Sequence, residues 1–123
     1  QARGGTLLRV DERRGEDGRP HLDLDALLQR LGKDAGREAD PMQSLLVEAG
    51  PGLATALFRQ DLVDRYVSFI APKIVGRGTP ALSDLGITAM ENARTFAETR
   101  WEAVGNDMLF RGYVRSLDAG GDA

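Results

Sequence analysis

Cysteine is absent from this 123-residue chain, and histidine occurs once, at His21. Together these scarcities exclude disulfides, thiolate chemistry and a His/Cys zinc cluster, so no metal site is expected. Long hydrophobic runs are missing too: no apolar stretch approaches the roughly 20 residues that a transmembrane helix needs. The opening QARGG carries no apolar segment of the signal-peptide kind. An excess of positive charge is also lacking, and a net charge of -3 argues against nucleic acid as the main partner. The serines have no His/Asp constellation, which leaves nucleophilic hydrolysis without support. The expectation is a cytoplasmic, disulfide-free protein with neither a nucleic-acid nor a membrane partner.

A hydrophobic content of 41% and a charged content of 28% suit a globular domain with one core. Gln1 is not an initiator methionine, and Thr6 to Val10 (TLLRV) already reads as a strand with nothing before it. Cleavage or tag removal would explain such a start, and a missing N-terminal portion, hence an incomplete domain, is the alternative that the resemblance given below favours. DERRGEDGRPH (11–21) is charged and aperiodic, as an exposed loop should be. Asp23 stands where an N-cap belongs, and Leu24, Leu27, Leu28 and Leu31 follow at helical spacing up to Gly32. Residues 32–41 read as a second solvated loop.

SLLVE (44–48) has the composition of a buried strand. Gly50-Pro51 marks a helix start, because proline is favoured where its missing N–H costs nothing. That helix is expected to reach about Gln60 with Leu53, Ala56 and Leu57 inward. RYVSFIAP (65–72) is a near-continuous apolar run, as in a strand covered on both faces. Strand, helix and strand at this spacing predict a βαβ unit with parallel strands. Residues 73–86 contain three glycines and a proline and read as a long loop. TAMENA (88–93) fits a helical turn. Alternation over 94–104, the Gly105-Asn106-Asp107 turn and MLFRGYVR (108–115) predict an antiparallel hairpin, followed by a frayed tail.

The chemistry concentrates at LLVEAGPGL (45–53). A loop leaving a parallel strand and entering a helix lies where open α/β sheets bind ligands. The first helical turn presents unsatisfied N–H groups and partial positive charge. Glycines at 50 and 52 would let a phosphate approach the backbone. The rival reading is a plain turn punctuated by Gly and Pro; the stretch is neither a P-loop nor a GxGxxG fingerprint. Glu48 likewise has two readings, contact with ligand hydroxyls or support of the helix N-terminus. Lys73 and Arg77, flanked by Gly76 and Gly78, make a cationic loop suited either to anions or simply to solvent. Trp101 fits packing in a core or a subunit interface. His21 receives no role.

The order of these pieces resembles one family. Val47-Glu48-Ala49-Gly50, a helix, Leu62-Val63-Asp64, a strand ending Ala71-Pro72-Lys73, a Gly-rich loop and Gly105-Asn106-Asp107 appear in sequence. Over roughly residues 20 to 115 this is similar to the C-terminal half of the riboflavin-pathway pyrimidine reductases. In that family the reductase is one domain of a bifunctional deaminase/reductase. The resemblance implies an α/β fold of dihydrofolate reductase-like type. This is a three-layer sandwich with a mostly parallel sheet and a C-terminal antiparallel hairpin. Residues 1–116 would be the C-terminal portion of one reductase domain, and 117–123 a flexible tail.

What the resemblance further implies is NADPH-dependent reduction of 5-amino-6-(5-phosphoribosylamino)uracil to the ribitylamino compound, in a homodimer. Glu48 would contact the substrate. Gly50, Pro51, Gly52, Leu53, Ala54, Thr55 and Ala56 would border the cofactor, with the Gly50-Pro51-Gly52 backbone at its phosphates. No residue of this chain is assigned a catalytic role, since the cofactor carries the hydride. Two departures stand out. The family's early strands, which supply most substrate contacts, have no counterpart here. The family deaminase needs zinc-binding cysteines, and this chain has none. The chain alone is therefore expected to be inactive. Competing functions are a dihydrofolate reductase-like enzyme acting on another small substrate and a non-catalytic dimerisation module.

Overall fold

The computed structural model describes residues 7–15, 18–34 and 42–114. In chain order the elements are β1 (Glu12–Arg14), β2 (Pro20–Leu22), α1 (Leu24–Asp34), α2 (Pro51–Arg59), β3 (Arg65–Ile70), β4 (Phe96–Val104) and β5 (Asp107–Val114). A single 3-10 turn, Met90–Asn92, falls where a helical turn was expected. The chain divides into two units, Gln1–Val47 and Glu48–Ala123.

In the first unit the expected strand at 6–10 is not formed: residues 7–10 are unpaired and Leu7 is exposed, while Thr6 lies outside the described residues. The expected loop over 11–21 instead contains a hairpin, with Glu12 opposite Leu22 and Arg13 opposite His21. Its strands are three residues long and carry no apolar alternation, so the sequence pattern had nothing to register. Gly18, at φ 72, closes the turn in a conformation that favours glycine. Helix α1 begins as its sequence dictates: the Ala26 N–H donates to Asp23 Oδ1 at 2.9 Å. It runs past the expected stop at Gly32 to Asp34, because Gly32 keeps an ordinary negative φ. Glycine within a helix costs only about 1 kcal/mol. Residues 35–41 of the second predicted loop, and the tail from 115 onward, lie outside the described residues.

SLLVE is the larger correction. Residues 42–50 form no strand, and Leu45, Leu46 and Val47 are 48%, 82% and 42% exposed. An apolar run becomes a strand only when neighbours accept its backbone hydrogen bonds, and none among the described residues does. The parallel βαβ pairing is accordingly not realised among them. Both sheets there are antiparallel, β1-β2 and β3-β5-β4. β3 was expected to be covered on both faces, yet Val67 and Phe69 are 48% and 62% exposed.

The second unit is organised by helix α2. Thr55, Leu57 and Phe58 are its buried residues, whereas Leu53, expected inward, is 47% exposed. The helix ends in a 6→1 and 5→2 pair of backbone bonds, Leu62 N–H to Leu57 O at 3.0 Å and Asp61 N–H to Phe58 O at 3.2 Å. Asp61 occupies the left-handed position that glycine usually takes, at φ 56. Arg94 compensates: it meets Asp61 Oδ1 at 2.8 Å and donates to Phe58 O at 3.0 Å. One guanidinium thus neutralises the carboxylate and satisfies a carbonyl at the negative end of the helix.

Sheet and helix meet through aromatic rings. Phe58 packs edge-on against Tyr66 at 5.9 Å, and Tyr66 stacks on Phe96 at 5.7 Å. Phe110 closes the cluster, 5.2 Å from Phe96 and 4.7 Å from Trp101. Tyr66 and Phe96 lie on the outer strands, so their rings reach each other across the central strand β5. Gly112, paired with Tyr66, makes this possible. A Cβ there would stand 3.0 Å from Phe96 Cβ and 3.3 Å from both Phe110 Cζ and Thr99 Cγ2. Opposite Gly112, β4 bulges between Ala97 and Arg100, with Glu98 at φ 49. The hairpin itself follows its sequence: Val104 pairs with Asp107, and Gly105, at φ 61, is the first of two turn residues.

Two outcomes follow from this packing. Gly112→Ala should lower the unfolding free energy by about 1–3 kcal/mol, since the added methyl overfills a tight contact. An unchanged urea midpoint would contradict that packing. Arg94→Met, which keeps the apolar stem, should cost about 1–3 kcal/mol by removing the ion pair to Asp61 and one of the donors to the Phe58 carbonyl. The same denaturation measurement checks it, and a cost below about 0.5 kcal/mol would show that the guanidinium does not hold the helix end.

Candidate functional site

The candidate site is built on the first turn of α2. Gly50 is its N-cap in extended geometry, with φ -68 and ψ 170, and Pro51 follows at the first helical position. The Ala54 N–H donates to Gly50 O at 3.1 Å, which closes the first intrahelical bond. Proline has no N–H, so the Gly52 and Leu53 amides are the donors left without an intrahelical partner. No side chain caps the helix, and its first turn carries no acidic residue. Its partial positive charge is therefore uncompensated from within the turn. A Cβ built at Gly50 or Gly52 would meet nothing within 4 Å, so the space over this backbone is open to a ligand. A phosphate-bearing group such as a nicotinamide dinucleotide fits such a turn, which offers donors, positive potential and room.

Glu48 lies two residues before the N-cap, in exposed irregular chain rather than at the end of a strand. It makes no hydrogen bond or ion pair among the described residues, and it does not cap α2. Of its two sequence readings, structural capping therefore does not apply. Ala54 and Ala56 are half-buried, and Leu53 flanks the open turn.

Thr55 is placed differently from its neighbours. It is 5% exposed, and its Oγ1 accepts a hydrogen bond from the Ser83 N–H at 2.7 Å. One turn later, Arg59 Nη2 donates to Asp84 O at 2.7 Å. The stem of the long loop after β3 is thus tied to α2 at two successive turns. Sequence reasoning missed Ser83 and Arg59, because contacts between residues 28 and 25 positions apart leave no local pattern. Within the loop, Lys73 and Arg77 are exposed and form no ion pair among the described residues. Gly76, at φ 78, supplies the left-handed turn between them. Ile74 and Val75 are 102% and 81% exposed. Trp101 lies against Phe110 and is 59% exposed.

Among the described residues no group of histidine, aspartate and glutamate is placed to hold a metal ion. No helix there is long and apolar enough to cross a membrane.

The chain resembles known proteins along most of its length. Residues 5–110 match the family model described as the RibD C-terminal domain. Riboflavin biosynthesis protein RibD of Escherichia coli (strain K12) is 38% identical over 89 residues, which is 72% of this chain and 23% of that protein. Riboflavin biosynthesis protein PYRR, chloroplastic, of Arabidopsis thaliana is 33% identical over 76 residues, 60% of this chain and 13% of that protein. The structure of Acinetobacter baumannii RibD, form 2, superimposes with a TM-score of 0.65 at 24% identity, covering 77% of this chain and 25% of that one. The chain thus spans about a quarter or less of the relatives it matches, and the likeness in structure extends to the mixed α/β fold. With the Val47-Glu48-Ala49-Gly50 turn and the α2 N-terminus inside the matched region, the chain belongs to the RibD C-terminal domain family.

Proposed function

We propose that this chain forms one wall of an NADPH-dependent reductase site that converts 5-amino-6-(5-phosphoribosylamino)uracil to its ribitylamino product. The observation that carries this reading is the α2 N-terminus: two amides, at Gly52 and Leu53, without a partner among the described residues, beside open space and with no acidic residue in the turn. Backbone donors at a helix start favour a dianionic phosphate, and the membership of a riboflavin-biosynthesis family narrows the ligand to a reductase cofactor. The Gly50-Pro51-Gly52 backbone then faces the cofactor phosphates, and Leu53, Ala54 and Ala56 border them. When bound, the nicotinamide supplies the hydride, and the protein contributes binding and orientation. Glu48, exposed and without a partner among the described residues, would accept hydrogen bonds from the hydroxyls of the substrate sugar.

The same reading makes these residues a partial site. Leu45, Leu46 and Val47 are exposed apolar residues immediately before Glu48. That profile suits a strand whose neighbours, parallel in the dihydrofolate reductase-like sheet, come from other residues. The relatives are about four or more times as long as the matched segment, which supports a need for further residues before turnover. We therefore expect no turnover from residues 1–123 alone.

Gly52→Asp separates ligand binding from folding. Gly52 has ordinary backbone angles and open space, so the side chain is accommodated. An acidic residue in the first turn should raise stability by about 0.3–1 kcal/mol through the helix dipole. The same carboxylate should weaken NADPH binding by roughly tenfold or more through repulsion of its phosphates. Fluorescence titration and thermal unfolding on one preparation check both signs. An unchanged dissociation constant beside raised stability would remove this turn from the cofactor site.

A further inference from the structure

Strand β4 is an outer strand: it pairs with β5 on one side, and among the described residues no strand lies along its other edge. Such an edge presents a row of backbone groups that another strand can pair with, unless a bulge or charge opposes it. In β4 the bulge falls early, between Ala97 and Arg100, with Glu98 at φ 49. Residues 100–104 then run regularly against β5, and the strand is exposed from Glu98 to its end. The charges in this regular half are Arg100 and Glu102, two residues apart and so on one face of the sheet.

Within one copy these charges are incompletely matched. Arg100 stands opposite Arg111, a like charge, while Arg111 pairs diagonally with Glu102 Oε2 at 2.7 Å. Arg100 makes no ion pair among the described residues. Between them, on the other face, Trp101 lies against Phe110 with ring centroids 4.7 Å apart and is still 59% exposed. An indole with more than half its surface open fits the interface reading of Trp101 rather than the core reading.

We propose that the outer edge of β4 pairs with the same edge of a second copy of this chain, antiparallel and with Trp101 on the two-fold axis. Arg100 of each copy then faces Glu102 of the other, and the two tryptophans meet, as a self-complementary two-fold interface requires. The sheets of the two copies join into one antiparallel sheet. Charge selects this register. Pairing slips in steps of two residues, because backbone groups point to alternate edges along a strand. One step one way sets Arg100 against Arg100 and Glu98 against Glu102; one step the other way sets Glu102 against itself. A register centred on Thr99 would match Arg100 with Glu98, but it runs through the bulge. The opposite outer strand, β3, carries one charge, Arg65, and has no such self-complementary pattern. No residue of α2 takes part, so the interface is independent of the cofactor reading above.

Charge reversal on the full chain, read by sedimentation equilibrium, tests both edge and register. Arg100→Glu sets negative charges opposite one another in both symmetric pairs, and Glu102→Arg sets positive ones. Each variant alone should raise the dimer dissociation constant roughly tenfold or more. An equimolar mixture of the two restores opposite charges in every pair and should associate within about threefold of the unsubstituted chain. Thermal unfolding checks that each variant is folded. Trp101→Lys, at an exposed position, sets two cations on the axis and should weaken association to a similar degree. An unsubstituted chain that stays monomeric up to about 1 mM would overturn the interface. So would an unmoved dissociation constant in all three variants. Folded single variants that are both weakened, with no recovery on mixing, would overturn the register.

Discussion

The second unit depends on the packing of Phe58 against Tyr66, because this contact fixes α2 on the sheet by its C-terminal half. The rings of Tyr66 and Phe96 reach one another only because β5 places glycine between them. Arg94 then closes the same end of the helix by pairing with Asp61 and with the Phe58 carbonyl. Apolar burial, ring contacts and the charged cap all act near the C-terminus of α2. At its N-terminus, among the described residues, the space beside Gly50 and Gly52 is open, so the helix has an anchored end and an open one.

Sequence patterning reads local features well here, and the reason is visible residue by residue. Asp23 before a leucine stripe, Gly50-Pro51 before a helix and Gly105-Asn106 between alternating strands are short-range signals, and all three elements form where expected. The failures concern partners at a distance. SLLVE has the composition of a strand, but composition cannot supply the neighbour whose backbone would pair with it. The antiparallel order β3-β5-β4 depends on which strand lies beside β3, and Gly112 shows its importance only once Phe96 and Tyr66 meet above it. The short β1-β2 hairpin carries no apolar periodicity at all.

The candidate site divides along the same line. The glycines, the proline and the helix start at 50–52 were legible because capping chemistry is local. Glu48 was legible as a choice between two roles, and the structure removes the capping one by showing that it supports no helix amide. Thr55 was legible only as a member of the cofactor-bordering stretch. Its hydrogen bond to Ser83 reassigns its side chain from the ligand to the loop. The stem of the loop, at Ser83 and Asp84, is thereby tied to α2.

The central claim is that the open amides of α2 receive the phosphates of the cofactor. Backbone 15N–1H correlation spectra recorded during an NADPH titration address it most directly. The account predicts that the largest shifts fall on the Gly52 and Leu53 amides. Shifts confined to the β4–β5 hairpin, with Gly52 and Leu53 unmoved at saturation, would contradict it.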